Sequence, residues 1–195
     1  FFAEGAFNAA FVPMFSKKLE TNSNAYKFAT DALAGLGFIV LVLVGIAMVF
    51  MPAMVWLTAG GFVGDSRFDM TVGFGRIVFP YIFFMSLSAL FSGVLNATGR
   101  FAAAAAAPVL LNIFMIAAMV GANIIGAEVV VWIVWVVPFA GIAQLALTWV
   151  AAGRAGFSLR PAMPHWSPDM RKLIVVAVPA ALASGVMQIN LVVGQ

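Results

Sequence analysis

The chain has no cysteine, one histidine and two tyrosines among its 195 residues, and only 9% of its residues are charged. The missing cysteine excludes disulfides, thiolate catalysis and Cys-ligated metal. The lone His165 lies in a Pro-rich basic loop with no second ligand at usable spacing, so neither a metal site nor a Ser/His/Asp nucleophile set can be assembled around it. Three motifs are also missing: Asp-Asp-x-x-Asp for metal–diphosphate chemistry, the phosphate-cradling Gly-x-x-x-x-Gly-Lys, and His-Glu-x-x-His. No cofactor-binding pattern or metal-binding set is left, and an enzyme is disfavoured. The net charge of +3 is too small for a nucleic-acid partner.

What the chain has is hydrocarbon. Hydrophobic residues make up 64% of it, with 19 Phe and 11 Met, and its mean hydropathy is +1.09. A soluble domain of this size could not bury that much apolar surface, so the bilayer is the expected solvent and helices the expected spanning element. The fold class is all-α, a polytopic transmembrane helix bundle. Apolar stretches at approximately 1–19, 25–49, 73–98, 101–125, 129–152 and 170–195 are the expected spans, the first partial and the last truncated. The chain starts at Phe1-Phe2 rather than at Met and stops at Gln195 inside an apolar stretch, so a segment of a longer polypeptide, forming one transmembrane domain, is expected.

The connections carry the local signals. Asn22 or Asn24 is placed to cap the second helix, Pro52 falls past its end, and a polar Gly-rich loop is expected from Gly60 to Asp69. Ser167-Pro168-Asp169 reads as an N-cap, a Pro at the first helical position and an acid in the first turn. Alternating spans put Lys17, Lys18, Lys27, Arg100, Arg154, Arg160, Arg171 and Lys172 on one bank, eight of the ten basic residues. Arg67 and Arg76 share the other bank with Asp65, Asp69 and Glu128. By the positive-inside rule the eight-residue bank is cytoplasmic.

Polar groups within spans are costly and therefore informative. Glu4 lies one turn before Asn8 on a face that continues to Phe11 and Phe15. It either faces a cavity or gate or is solvated or ion-paired at the interface. Tyr81, Ser88, Ser92 and Asn96 fall on one helical stripe. That stripe either lines a hydrophilic passage or packs, since Ser88-x3-Ser92 and Ala89-x3-Gly93 are small-residue pairs; Asn96 is also placed to brace the turn at Gly99. Asn112 with Asn123, and Gln144 with Thr148, read first as interhelical glue. Ser184, Gln188 and Gln195 share a face beyond Pro179, which makes that helix either a moving wall or a packing element. Lys27 and Asp31 are spaced for an i,i+4 ion pair. Trp132, Trp135, Trp149 and Trp166 lie near span ends or loops, as interfacial anchors do.

Three blocks carry a resemblance. They are Phe2-Ala3-Glu4-Gly5-Ala6-Phe7 with Ala10-Phe11-Val12-Pro13; Phe79-Pro80-Tyr81 through Ala89-Leu90-Phe91-Ser92-Gly93-Val94-Leu95-Asn96, Gly99-Arg100-Phe101 and Ala107-Pro108-Val109-Leu110-Leu111-Asn112; and Pro179-Ala180 with Gln188-Ile189-Asn190-Leu191. In order and spacing the chain resembles the MurJ/MviN family of lipid II flippases. The resemblance implies the N-terminal lobe of a two-lobe, fourteen-helix exporter, from the end of its helix 2 through most of helix 7. It also implies transport of lipid II across the bacterial cytoplasmic (inner) membrane by alternating access for cell-wall biogenesis. Lipid II and membrane lipid would be partners, and cell-wall synthesis proteins candidate ones. Glu4, Asn8 and Gln188 become candidates for the substrate cavity or gate. Ser88, Ser92, Asn96 and Asn112 remain candidates for packing or lining. The family's cavity arginines belong to helices 1 and 8, outside this chain, so alone it should neither bind nor flip substrate. The competing readings are an exporter of another polyprenyl-linked glycan or of drugs, and a non-transporting membrane scaffold for cell-wall enzymes.

Overall fold

The computed structural model describes residues 2–21, 23–58, 65–165 and 167–179, with side chains from Phe7 onward. All regular structure among them is helical: α1 (Phe2–Glu20), α2 (Ala25–Val49), α3 (Met51–Thr58), α4 (Ser66–Val78), α5 (Tyr81–Ala97), α6 (Phe101–Ile125) and α7 (Val129–Arg154). Residues 168–179 form a further helix, α8.

Length and composition decide the environment. At 1.5 Å per residue, the 25 residues of α2 or α6 extend about 37 Å, enough for a hydrocarbon core of about 30 Å. Four helical segments meet the membrane requirement in length and hydropathy: α2, the α4–α5 pair, α6 and α7. Their outward faces are strongly apolar, with Phe38, Leu41, Leu43, Ile46, Ile113, Ile116, Ile124, Trp135 and Phe139 exposed. In water such a surface would aggregate; against lipid tails it costs nothing.

Prolines shape the long segments. The 32-residue stretch Ser66–Ala97 is divided by a turn at Phe79-Pro80, because Pro80 has no N–H to give to the preceding turn. Phe79 N–H still reaches Gly75 O at 2.9 Å and Ile82 N–H reaches Phe79 O at 3.1 Å, so the two halves stay nearly continuous. Pro13, Pro108 and Pro138 are carried inside α1, α6 and α7. The helix ends are tight. Gly126 terminates α6 at φ 67°, a left-handed conformation that a side chain resists, and Ala127 N–H then returns to Ala122 O.

The segment after α2 differs from the expected loop. Pro52 sits in the first turn of α3, where a missing N–H is harmless, and α4 begins at Ser66, not near Gly73. Asp65 caps α4 by accepting from Arg67 N–H at 3.2 Å, and Asp69 lies in its first turn. At the start of α2, Asn24 is at φ 50° and its side chain makes no capping bond; Asn22 lies outside the described residues.

The core gathers at the end that holds the basic loops. Phe11 and Phe15 of α1 are fully buried among Phe28 of α2, Leu90, Phe91, Val94 and Leu95 of α5, Leu159, and Met170 and Leu173 of α8. Phe7, Phe11 and Phe15 stack along α1 at 5.5 and 5.3 Å, and Phe11 stacks on Phe28 at 5.5 Å. The chain between α7 and α8 is tied across this end. Tyr26 Oη donates to Ser158 O at 2.7 Å, Trp149 Nε1 to Leu159 O at 3.2 Å, and Lys18 pairs with Asp169 at 2.8 Å. The start of α8 is capped, with Met170 N–H donating to Ser167 Oγ at 3.2 Å. These contacts, with Arg100 Nη1 donating to Arg154 O at 3.1 Å, gather the basic loops at one end of the bundle. Arg76 Nε meets Met48 O at the other end, at 3.1 Å. Lys27 and Asp31 form no ion pair; both lie on α2 but Asp31 is half-buried and Lys27 exposed.

Candidate functional site

Two polar seams meet on α5. The first joins it to α1. Asn8 follows the position of Glu4 by one turn and precedes Phe11 by three residues, on the face of α1 that packs against α5. Its Oδ1 is buried and accepts no hydrogen bond among the described residues. The amide oxygen lies over Gly93, where an added Cβ would fall 2.6 Å from Asn8 Oδ1 and 3.1 Å from the Phe11 ring. Glycine at 93 is what lets α1 approach this closely. An amide acceptor left open in an apolar interior is costly.

The second seam joins α5 to α7. Tyr81 Oη donates to Gln144 Oε1 at 3.2 Å. One and two turns further along, Ser88 Oγ lies 3.2 Å from Thr148 Oγ1 and 3.4 Å from Gln144 O, while Thr148 Oγ1 also donates to Gln144 O at 3.0 Å. Ser88, Gln144 and Thr148 are all buried. Gln144 Nε2 has no acceptor among the described residues. Gly141 permits the close approach: a Cβ there would lie 2.8 Å from the Tyr81 ring. Small residues and hydroxyls at a helix crossing, bonded to one another because hydrocarbon offers no alternative, fit the way membrane helices associate.

The candidate residues thus separate. Ser88 belongs to the α5–α7 seam. Ser92 is buried on α5 one residue before Gly93, close to the α1 seam. Asn96 is exposed, and the turn after it is closed by Gly99 N–H to Asn96 O at 3.1 Å, Arg100 N–H to Leu95 O at 2.9 Å and Thr98 Oγ1 donating to Val94 O at 3.0 Å. Asn112 and Asn123 are exposed on α6. Glu4 is on α1 by its backbone, and Gln188, Ser184 and Gln195 lie outside the described residues. The stripe Tyr81, Ser88, Ser92, Asn96 is therefore no continuous lining among the described residues: its first half is closed by α7 and its last member is exposed.

Sequence reasoning had Tyr81 and Gln144 on separate helices and missed that they meet. The available signal was a pair of polar residues on one face of each span, Tyr81 with Ser88 two turns apart and Gln144 with Thr148 one turn apart. His165 is exposed, and among the described residues no group of three His, Asp or Glu could hold a metal ion. A mostly apolar hollow of about 280 Å³ lies between α2, α5 and α7, walled by Leu33, Gly37, Phe38, Leu87, Phe91 and Trp149.

Comparison with known proteins assigns the chain. A family profile described as lipid II flippase MurJ matches residues 1–195. The chain is 43% identical over its whole length to a probable lipid II flippase MurJ of Rhizobium tropici, covering 38% of that protein. It is 32% identical over its whole length to a probable lipid II flippase MurJ of Rickettsia prowazekii, again covering 38%. It is 34% identical over 98% of its length to the lipid II flippase MurJ of Burkholderia cenocepacia, covering 38% of it. The chain thus spans well under half the length of these relatives. An all-helical, multi-pass membrane segment that aligns from its first residue to its last with these proteins belongs to the MurJ family.

Proposed function

We propose that the protein to which this chain belongs moves lipid II, the lipid-linked peptidoglycan precursor, across the bacterial cytoplasmic membrane by alternating access, and that this chain supplies much of its first lobe. The observation that carries the reading is the end-to-end match to relatives named as flippases, at up to 43% identity. The work is transport, not bond breaking. The chemistry required is a polar path for a diphosphate-sugar headgroup beside a bilayer that keeps the lipid tail.

The polar groups support a division of labour. The α5–α7 seam bonds its hydroxyls and the Gln144 oxygens to one another and leaves only Gln144 Nε2 open among the described residues, which suits a rigid strut. Asn8 is different: its open acceptor sits one turn from Glu4 on the same helix face, and both fall at the chain's N-terminal end, next to where the family's first-helix arginines would lie. In this reading Glu4 orients a cavity arginine and Asn8 takes a donor from the same group, while Gln188 borders the gate.

The test uses the full-length protein in cells depleted of the native copy. Lipid II reaching the outer leaflet should fall on depletion and return with the unaltered protein. Glu4→Ala, Asn8→Ala and Gln188→Ala should each reduce its return, with Asn112→Ala as the tolerated control. Unchanged export on depletion refutes the transport reading. Full tolerance of all three substitutions favours the scaffold.

A further inference from the structure

A hollow of about 600 Å³ opens at the basic end of the bundle, where α5 turns into α6 beside the end of α7. Two arginines, Arg100 and Arg154, stand at its rim, and its walls are Phe101, Ala103, Leu147 and Val150. No carboxylate lines it, and neither arginine joins an ion pair among the described residues. Arg100 is held in place because its Nη1 donates to Arg154 O at 3.1 Å. That bond uses one of the five guanidinium N–H groups and leaves the rest to be satisfied.

The surroundings set the ligand's chemistry. The arginines belong to the bank that carries eight of the ten basic residues, the level of the lipid headgroups. Below them the walls are hydrocarbon, and Val150 and Phe101 are exposed on the same outward surface as the bilayer-facing residues of α6 and α7. A free anion would use the rim and leave the walls empty. A neutral lipid would use the walls and leave two guanidiniums unmatched. A phosphate monoanion carrying acyl chains uses both, and planar guanidiniums take phosphate oxygens in pairs.

We infer that this hollow is a binding site for an anionic phospholipid of the surrounding membrane, phosphate between Arg100 and Arg154 and one acyl chain along Leu147 and Val150. The assignment does not depend on what the protein transports. Each interfacial arginine is worth about fivefold in affinity for an anionic lipid, so the pair should give a preference on the order of thirtyfold over a zwitterionic one.

Native mass spectrometry of the full-length protein, titrated separately with phosphatidylglycerol and phosphatidylcholine, tests it. The unaltered protein should retain phosphatidylglycerol preferentially. Arg100→Gln/Arg154→Gln should abolish most of the preference, and Arg154→Gln alone should lower it about fivefold while keeping the carbonyl that fixes Arg100. Val150→Trp, which fills the apolar wall, should weaken both lipids. Arg67→Gln/Arg76→Gln, on the opposite bank, should change nothing. The inference is overturned if the preference survives the double substitution or Arg154→Gln, or falls equally in the opposite-bank variant. It is also overturned if glycerol phosphate competes as well as the intact lipid, or if undecaprenyl phosphate takes the site in preference to phosphatidylglycerol.

Discussion

Replacing Gly141 by Ala should destabilise the bundle, although alanine is the better helix former. An Ala for Gly in a helix interior gains about 1 kcal/mol from backbone entropy. Against that stands contact. The new Cβ would lie 2.8 Å from Tyr81 Cδ2, 3.1 Å from Phe84 Cβ and 3.3 Å from Phe84 Cδ2. A ring and a Cβ cannot swing aside as a chain end can, so α5 and α7 must separate, and overpacking of this kind costs about 1–3 kcal/mol. Gly45, on α2, meets nothing within 4 Å and supplies the reference: Gly45→Ala takes the same propensity gain with no contact. The difference between the two variants therefore isolates the steric cost, about 1–3 kcal/mol. Thermal unfolding of the full-length protein in detergent, followed by tryptophan fluorescence, should place Gly141→Ala at least about 2 °C below Gly45→Ala. If Gly141→Ala unfolds at or above Gly45→Ala, the helices are not packed as closely here as described and the α5–α7 seam is wrong.

Four further outcomes can be measured, three on the same material and one in cells. Tyr81→Phe deprives Gln144 Oε1 of its donor and should cost about 1–3 kcal/mol, whereas Tyr81→Phe/Gln144→Leu should cost much less than the two changes added; strict additivity would mean that the groups do not interact. Met170→Ala, which empties a buried site beside Gly35, should cost about 2–5 kcal/mol. Lys18→Met, which breaks a half-exposed ion pair with Asp169, should cost under about 1 kcal/mol and nothing in high salt; the reverse order would put the docking of α8 on charge rather than on packing. In a cysteine-free full-length background, an impermeant maleimide should label Ser66→Cys from outside intact cells and Ser158→Cys only after permeabilisation; labelling of both from one side would break the topology.

The fold class was legible because hydropathy reports burial in lipid directly: the apolar runs of α2, α6 and α7 admit no other solution. The cap at Ser167 was legible for a related reason, since Ser-Pro-Asp places acceptor, fixed φ and acid in chain order. The region from Met51 to Val78 was not. Pro52 and the nearby glycines signal a break, and the signal cannot say whether the chain after it resumes as a helix; α3 does so because Met51 and Val55 bury against Val72 of α4. The expected Lys27–Asp31 pair was a spacing argument, and spacing on a helix does not outweigh the pull of neighbouring elements on each side chain. The site divided the same way. Polar residues in spans were easy to find, but their partners are set by tertiary register, which put Gln144 against Tyr81 and the Asn8 oxygen against Gly93. Arg100 and Arg154 counted only as loop charges until folding set them side by side.

The arrangement of seams bears on how such a lobe could take part in transport. Breaking the α5–α7 seam would strand Tyr81, Ser88, Gln144 and Thr148 in hydrocarbon, so α5 and α7 must travel together. Phe11 of α1 stacks on Phe28 of α2, and both share a core with Leu90, Phe91, Val94 and Leu95 of α5, which adds α1 and α2 to the same body. The first turns of α8 are fixed to it too, by Met170 and Leu173 in the core and Asp169 on Lys18. A moving wall would therefore have to bend beyond those turns, and Pro179, at the far end of the described α8, is where the ladder lacks a donor. On the proposed alternating-access reading, packing and ion pairing hold α1, α2, α5, α7 and the first turns of α8 as one body at the basic bank.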